Sequence, residues 1–532
     1  MRFRSANWSG AAEGARMPGG PGVAKEASGA LAGSVPSIRY TARAAPAMER
    51  RANLMTLAAM MPTGLLLLAL VGGAVVFAAD GARVIAFPYP MDYGEGPLLA
   101  QTRALGHREN IYRADLASPP YTISNYPPLY PLVLSPVARL AGPAFWYGRL
   151  LSWLSIAAAA TLIGLIVQAL TGDRLAAVVG GLTLLAFPPA SYWAGLYRVD
   201  AFALALSLGG LYVCVRRPDA RGTVPLAALL LTAAIFTRQS YGLAAPLAAT
   251  AWLLATGRRR RALTLLGLVA ALGAALFGGL EWLTRGGFSF NVVTANLNAY
   301  QAGSLARYLA DVWALMPIAL TAAGLFLLVA GALRVPSWRL VGPYLIGAAL
   351  SGLTIGKVGS NVNYLLELGA AVALALGALL AWLGPRRAVT AAVSLLLALD
   401  VALMVLVSPY RAVTHARLGQ LGDARRLEEL VREAGGTVLA DEDMGLLARA
   451  GRPIFFQPFE MTQLARAGRW DQRPLLGDIE RQAFAAILIY AIPEVPLHRD
   501  RWTDEMLRAI EQRYTVSERV GQTLVFRPRR GG

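Results

Sequence analysis

The stretch "MDYGEGPLLA", residues 91–100, follows the first long apolar run, and its surroundings decide how the chain is read. Asp92 and Glu95 lie three residues apart among glycines. Gly96–Pro97 reads as a helix start, because proline is favoured at the first helical position. The predicted helix runs through "LLAQTRAL" and stops at Gly106. A helix start exposes unpaired backbone N–H groups, which suits an anion such as phosphate. Two carboxylates beside it suit a divalent cation, or one of them takes a proton from a hydroxyl. The plainer reading is that both acids cap and brace the loop.

Around this stretch the chain is unusually apolar. Of 532 residues, 56% are hydrophobic and 15% charged, against about 45–50% and about 25% in soluble domains. The excess comes in blocks of Leu, Ala, Val and Gly, each about 17–25 residues long, the length that crosses a bilayer. Such runs exclude an outer-membrane barrel, whose strands are short and alternate. The net charge of +18 fits basic cytoplasmic loops rather than nucleic acid. A single cysteine, Cys214, rules out a disulfide framework, and His107, His415 and His498 are too scattered for a histidine metal centre.

Residues 1–56 read as a disordered, basic, cytoplasmic tail, with Met48 and Met55 as candidate starts. Membrane helices are predicted near 57–79, 144–170, 174–193, 201–215, 223–236, 240–256, 262–283, 309–333, 338–356, 362–382 and 387–408, eleven crossings in all. The proline-bearing segment 126–141 is taken as a juxtamembrane or re-entrant helix. With the N-terminus inside, the inner loops "TGDR", "RRPDARG", "GRRRR", "RVPSWR" and "GPRR" hold twelve arginines, as the positive-inside rule requires. The first outer loop is 80–143. Residues 409–532 change character. Short apolar segments at 437–440, 453–456, 485–490 and 523–526 alternate with helical patterns, which predicts a small extracytoplasmic α/β domain. Its Asp441, Glu442 and Asp443 are expected to form a solvated turn. The fold class is therefore an α-helical polytopic membrane protein spanning 57–408, with this domain appended.

On that topology the unusual polar residues fall on outer connections. Asp92, Glu95, Asn125 and Tyr126 lie in the first loop, and Arg198 and Asp200 at the next helix end. Arg238 and Gln239 follow, then the asparagine-rich loop with Asn291, Asn296 and Asn298, then Lys357, Asn361, Asn363, Tyr364 and Glu367. Single residues at helix ends are often interfacial anchors. Ionisable groups in or beside apolar runs, such as Asp200 and Glu367, usually face a cavity. A reaction that expels a phosphate needs cations where the charge develops, and Arg198, Arg238 and Lys357 supply them. An alternative with polar groups in the membrane is a transporter or lipid flippase, which would place them near the midplane on broken helices.

The stretches "DYGEGPLLAQTRALGHRENIYR", "SNYPPLYPLVLSP", "YGRLLSWL" and "NVNYLLELGAA" resemble the GT-C superfamily of membrane glycosyltransferases, in its bacterial mannosyltransferase-like branch. So does "EDMGLLARAGRPIFFQPFEMTQLARAGRWD" near the C-terminus. The resemblance implies an inverting hexosyltransferase of the bacterial inner membrane, acting on the extracytoplasmic side. Its donor would be a polyprenyl-phosphate-linked sugar lying among membrane lipid, and its acceptor a glycan, lipid or protein. Asp92 matches the family's loop acid best and Glu95 second, and Asp200 matches the acid of the second outer connection. A divalent metal cation on Asp92, Glu95 and Asp200 is compatible with that pattern. Tyr93 and Gly94 separate two acids that are adjacent elsewhere in the family.

Overall fold

A computed structural model describes residues 45–492 and 497–529. Most of the predicted tail lies outside the described residues. The described residues from Thr56 onward pack as one unit.

Every predicted crossing is helical, but the helices differ in reach. Met61–Ala86, Trp146–Thr171, Arg259–Leu283, Val362–Leu383 and Arg387–Gly419 are the five long and apolar enough to cross a bilayer, among the described residues. Two bent pairs, Arg174–Ala186 with Pro188–Ala194 (64°) and Ala302–Leu315 with Pro317–Ala330 (96°), raise the number to seven. Asp200–Arg216, Thr223–Ile235, Ala244–Ala255 and Trp338–Gly352 hold only 17, 13, 12 and 15 residues. The segment taken as juxtamembrane is the helix Leu129–Ala141.

Both bends have a local cause. Proline has no N–H and clashes with the preceding turn, so a helix ends before it; Pro188 and Pro317 stand at the two breaks. At the second break Asp400 accepts the freed N–H of Ala319 at 2.8 Å. This buried acid in an apolar helix therefore serves the backbone.

Small residues bring the helices together. A Cβ on Gly181 would lie 2.7 Å from the Ala160 carbonyl oxygen, and one on Gly164 2.9 Å from that of Ala177. Close approach of this kind holds membrane helices by van der Waals contact. The helix Val362–Leu383 is almost wholly enclosed, whereas Arg259–Leu283 turns most of its apolar surface outward. Outward apolar surface is what lipid requires.

Arg258, in one predicted inner loop, makes a two-pronged ion pair with Asp219 of another, at 2.8 and 2.6 Å. The predicted outer connections meet around one cavity.

The C-terminal region carries four strands, β1 (Val438–Ala440), β2 (Ala486–Tyr490), β3 (Tyr514–Val520) and β4 (Thr523–Pro528), in the order β1-β2-β4-β3. β1 runs parallel to β2, and the other pairings are antiparallel. Three strands match predicted segments. The fourth predicted segment, 453–456, joins no strand of the sheet. Its backbone pairs instead with the first outer loop: Tyr121 N donates to the Phe455 carbonyl at 2.8 Å, and Gln457 N donates to that of Tyr121 at 2.9 Å. β3 was not expected, because "YTVSERV" has only one apolar residue, the exposed Val516, between its buried ends.

Candidate active site

The helix predicted from the opening stretch forms as Glu95–Gly106. Its start does not offer N–H groups to an anion. A Cβ on Gly96 would lie 2.6 Å from the backbone nitrogen of Gly445, so the helix Met444–Arg449 closes that end. Two glycines are needed for the approach.

Asp92 and Glu95 part company here. Glu95 is completely buried and locked to Arg149, with Nε–Oε1 at 2.9 Å and Nη2–Oε2 at 2.7 Å. The backbone nitrogens of Met91 and Tyr197 also donate to it, each at 2.7 Å. Both carboxylate oxygens are thus filled by protein donors. The catalytic and metal-binding roles expected of Glu95 are corrected on this geometry: it fastens the loop to the helix Trp146–Thr171. Asp92 stays on the cavity surface. Gly94 N donates to its Oδ2 at 2.9 Å, and Arg198 Nη1 lies 3.2 Å from the same oxygen. A side chain at Gly94 would overlap that guanidinium. Burial pushes the Asp92 carboxyl above its ordinary range, while Arg198 pulls it back.

The cavity encloses about 910 Å³. Of the remaining predicted site residues, Asn125, Tyr126, Arg198, Arg238, Gln239, Lys357, Asn361, Asn363 and Tyr364 line it. Asp200 does not. It is buried between Trp193 Nε1 at 2.7 Å, Asn363 Nδ2 at 3.1 Å and an ion pair with Arg238. Asp200 therefore aims Arg238, whose guanidinium also lies over the Tyr364 ring at 4.4 Å. Glu367 is buried outside the cavity lining, with Oε1 unpartnered among the described residues. Lys357 Nζ donates to the Asn296 carbonyl at 3.1 Å, and Gln239 and Asn296 donate to the Asn125 carbonyl at 3.2 and 2.7 Å. Asn291 is buried and structural: it bonds Ser124, Arg113 and Gly287.

A metal ion does not fit the carboxylates expected to bind it. Glu95 and Asp200 have their oxygens occupied by donors, and Asp92 faces a guanidinium. Among the described residues no three Asp, Glu, His or Cys side chains converge on a cation position.

The C-terminal region supplies a roof that sequence reading missed. Glu442, Gln457, Phe459, Glu460, Tyr490 and Arg501 all face the cavity. Tyr93 donates its hydroxyl to Glu460 at 2.9 Å, and Asn125 donates to the other oxygen at 3.1 Å. Arg501 holds Glu442 at 2.6 Å, and Arg417 approaches it at 3.4 Å. The expected solvated turn is corrected: Asp441 and Asp443 are buried. Burial pushes Asp441 up to about 6. Burial acts on Glu442 in the same sense, yet Arg501 and Arg417 hold it below its ordinary range. The one signal in the sequence was "DED" followed by an apolar helix.

No protein-family model matches the chain, and no curated protein matches it. Solved structures do. ArnT from Cupriavidus metallidurans bound to undecaprenyl phosphate is similar at 17% identity, with 87% of this chain and 98% of that one covered and a TM-score of 0.57. The Archaeoglobus fulgidus oligosaccharyltransferase tethered to an acceptor peptide is similar at 12% identity, covering 87% and 74%, with a TM-score of 0.50. The oligosaccharyltransferase AglB of the same organism, in complex with an inhibitory peptide and a dolichol-phosphate, gives 11%, 86% and 74%, and 0.50. The chain therefore has the fold of the GT-C membrane glycosyltransferases, the superfamily that its motifs resemble.

Proposed function

We propose that this protein is a membrane glycosyltransferase that moves a sugar, a hexose on the family pattern, from a polyprenyl-phosphate carrier to an acceptor hydroxyl outside the cytoplasm. One observation carries the reading: a single large cavity in a GT-C fold sets an accessible carboxylate, Asp92, in the same space as Arg238 and Lys357. Relatives of this fold hold undecaprenyl phosphate or dolichol-phosphate. In this chain the carrier's phosphate would sit against Arg238 and Lys357, with its lipid tail between helices and bilayer. Asp92 accepts the proton of the acceptor hydroxyl as that oxygen bonds to the anomeric carbon. The anomeric carbon–phosphate oxygen bond breaks with its electron pair, inverting the sugar and leaving polyprenyl phosphate. Arg238 and Lys357 meet the charge that develops there. Asp200 holds Arg238 in place, and Arg198 keeps Asp92 oriented.

Membranes containing the protein, supplied with a panel of radiolabelled polyprenyl-phosphate sugars, test this directly. Label is expected in an acceptor and absent from membranes carrying Asp92→Asn. The transporter or flippase reading predicts a path of ionisable groups at the broken helices; the break at Phe187–Pro188 carries apolar residues, and Asp400, at the break Met316–Pro317, is taken up by the Ala319 backbone.

A further inference from the structure

The cavity has two chemically different walls. One is built from the connections that carry Arg238, Arg307 and Lys357. Lys357 and Arg307 pair with no carboxylate among the described residues; Lys357 donates to a carbonyl and Arg307 to a hydroxyl. The other wall joins the opening loop to the C-terminal roof. There four carboxylates, Asp92, Glu442, Glu460 and Asp500, stand against three guanidiniums, Arg198, Arg417 and Arg501. Each of those guanidiniums already faces a carboxylate: Arg198 faces Asp92 at 3.2 Å, and Arg501 and Arg417 face Glu442 at 2.6 and 3.4 Å. This wall has no cation to spare for a phosphate or carboxylate on the acceptor.

It does have hydrogen-bonding capacity to spare. Among the described residues Asn125 Oδ1 is a buried acceptor without a hydrogen-bond partner, and Arg501 Nη1 is a buried donor whose nearest carboxylate, Asp441, stands off at 4.0 Å; the Arg501 side chain is only 11% exposed. Unpaired buried polar atoms are costly, and a native structure leaves few of them. One is an acceptor and the other a donor, and a sugar hydroxyl is both. Between them Glu460 is steadied by Tyr93 and Asn125. Aromatic surface is at hand too, since Tyr93, Phe459 and Tyr490 line this side. Tyr93 already carries Arg501 over its ring at 4.8 Å.

We infer that the wall formed by Asn125, Tyr93, Glu460 and Arg501 is the acceptor subsite, and that the acceptor it takes is an uncharged glycan presenting neighbouring hydroxyls. This rests on the proposed transferase reading and narrows it, separating a neutral sugar from an anionic lipid headgroup or a peptide. Glu460 accepts from a hydroxyl adjacent to the reacting one, while Arg501 and Asn125 complete its hydrogen bonds. A site built to hydrogen-bond a substrate hydroxyl discriminates strongly, because its own polar groups are otherwise left unpaired.

The test uses the full chain purified in detergent, with the labelled polyprenyl-phosphate sugar that it captures best. Acceptor probes are neutral gluco-, manno-, galacto- and arabino-oligosaccharides, their phosphate esters, and a Ser/Thr-containing hexapeptide. Label is expected on a neutral oligosaccharide. Glu460→Gln should raise the KM for that acceptor about tenfold or more, a step that corresponds to about 1.4 kcal/mol, with donor capture unchanged. Tyr93→Phe, which keeps the ring and loses only the hydroxyl, should move the same constant in the same direction and guards against misfolding of the first variant. Donor capture with transfer only to the phosphate esters or the peptide, or to none of the neutral sugars, overturns the inference. So does an acceptor KM that neither variant moves. Failure to capture any polyprenyl-phosphate sugar overturns the transferase reading itself, and this inference with it.

Discussion

Two ion pairs sit within a few residues of each other and teach opposite lessons. Glu95 and Arg149 are both 0% exposed, whereas Asp92 and Arg198 are 16% and 14% exposed. Every lone pair that Glu95 directs at the protein meets a guanidinium or a backbone N–H. Asp92 meets one N–H and one guanidinium on the same oxygen, Oδ2. Its other oxygen accepts from no protein donor among the described residues. Residue type and spacing make the two acids equivalent. The count of donors around each separates a fastening from a reactive group.

Swapping the acids one at a time tests that contrast. Asp92→Asn should lower transfer by about 10²–10⁴-fold, the usual worth of general-base assistance, with the protein still folded in detergent. Radiolabel transfer at saturating donor measures it, and near-normal turnover would remove Asp92 from the chemistry. Arg149→Met should do the reverse. It leaves a buried carboxylate without its partner, which typically costs about 3–5 kcal/mol. A lowered unfolding midpoint should result, with turnover per folded molecule largely kept. A stable Arg149→Met protein would mean that Glu95 is held by its backbone donors alone. Smaller again is Lys357→Gln on the basic wall. Hydrogen bonds to charged groups contribute about 1.5–3 kcal/mol, so donor affinity should fall by about 10–100-fold while acceptor KM stays. Unchanged donor affinity would move the phosphate to Arg238 and Arg307.

The membrane half of the fold was legible in the apolar runs, because length and composition alone place a helix in lipid. The bends were not read, although "AFPPA" at 186–190 and "MPIA" at 316–319 put proline inside predicted spans. A hydropathy run passes smoothly over such a break. Convergence of the outer connections was legible from charge asymmetry, and ten of the thirteen predicted site residues line one cavity. The three that do not, Glu95, Asp200 and Glu367, are buried away from it, and Glu95 is held there by distant partners. Arg149 sits inside "YGRLLSWL", and nothing nearby in sequence announces that it meets a carboxylate 54 residues away. The roof is the extreme case. Glu460 meets Tyr93 across 367 residues, and no local periodicity encodes such a contact.

The smallest effect is the most diagnostic, because it concerns a direction and not a loss. Burial raises the Asp92 carboxyl, Arg198 lowers it, and Glu442 on the roof raises it. A base works only when ionised, so transfer should fall as pH drops through this raised value. Arg198→Gln removes the lowering influence, so the acidic limb of the kcat/KM profile should move to higher pH. Glu442→Gln removes a raising one, and the limb should move to lower pH. The linkage to stability has the same origin. A carboxyl raised by folding favours the folded state below its unfolded pKa, and that contribution is lost as pH rises through the folded value. Asp92→Asn should therefore flatten the unfolding midpoint against pH over this window while it lowers transfer. Opposite limb shifts from Arg198→Gln and Glu442→Gln would tie the titrating base to the point where the opening loop meets the roof. Limbs that stay put in both would place the base elsewhere in the cavity, with Glu460 next in line because burial raises it as well.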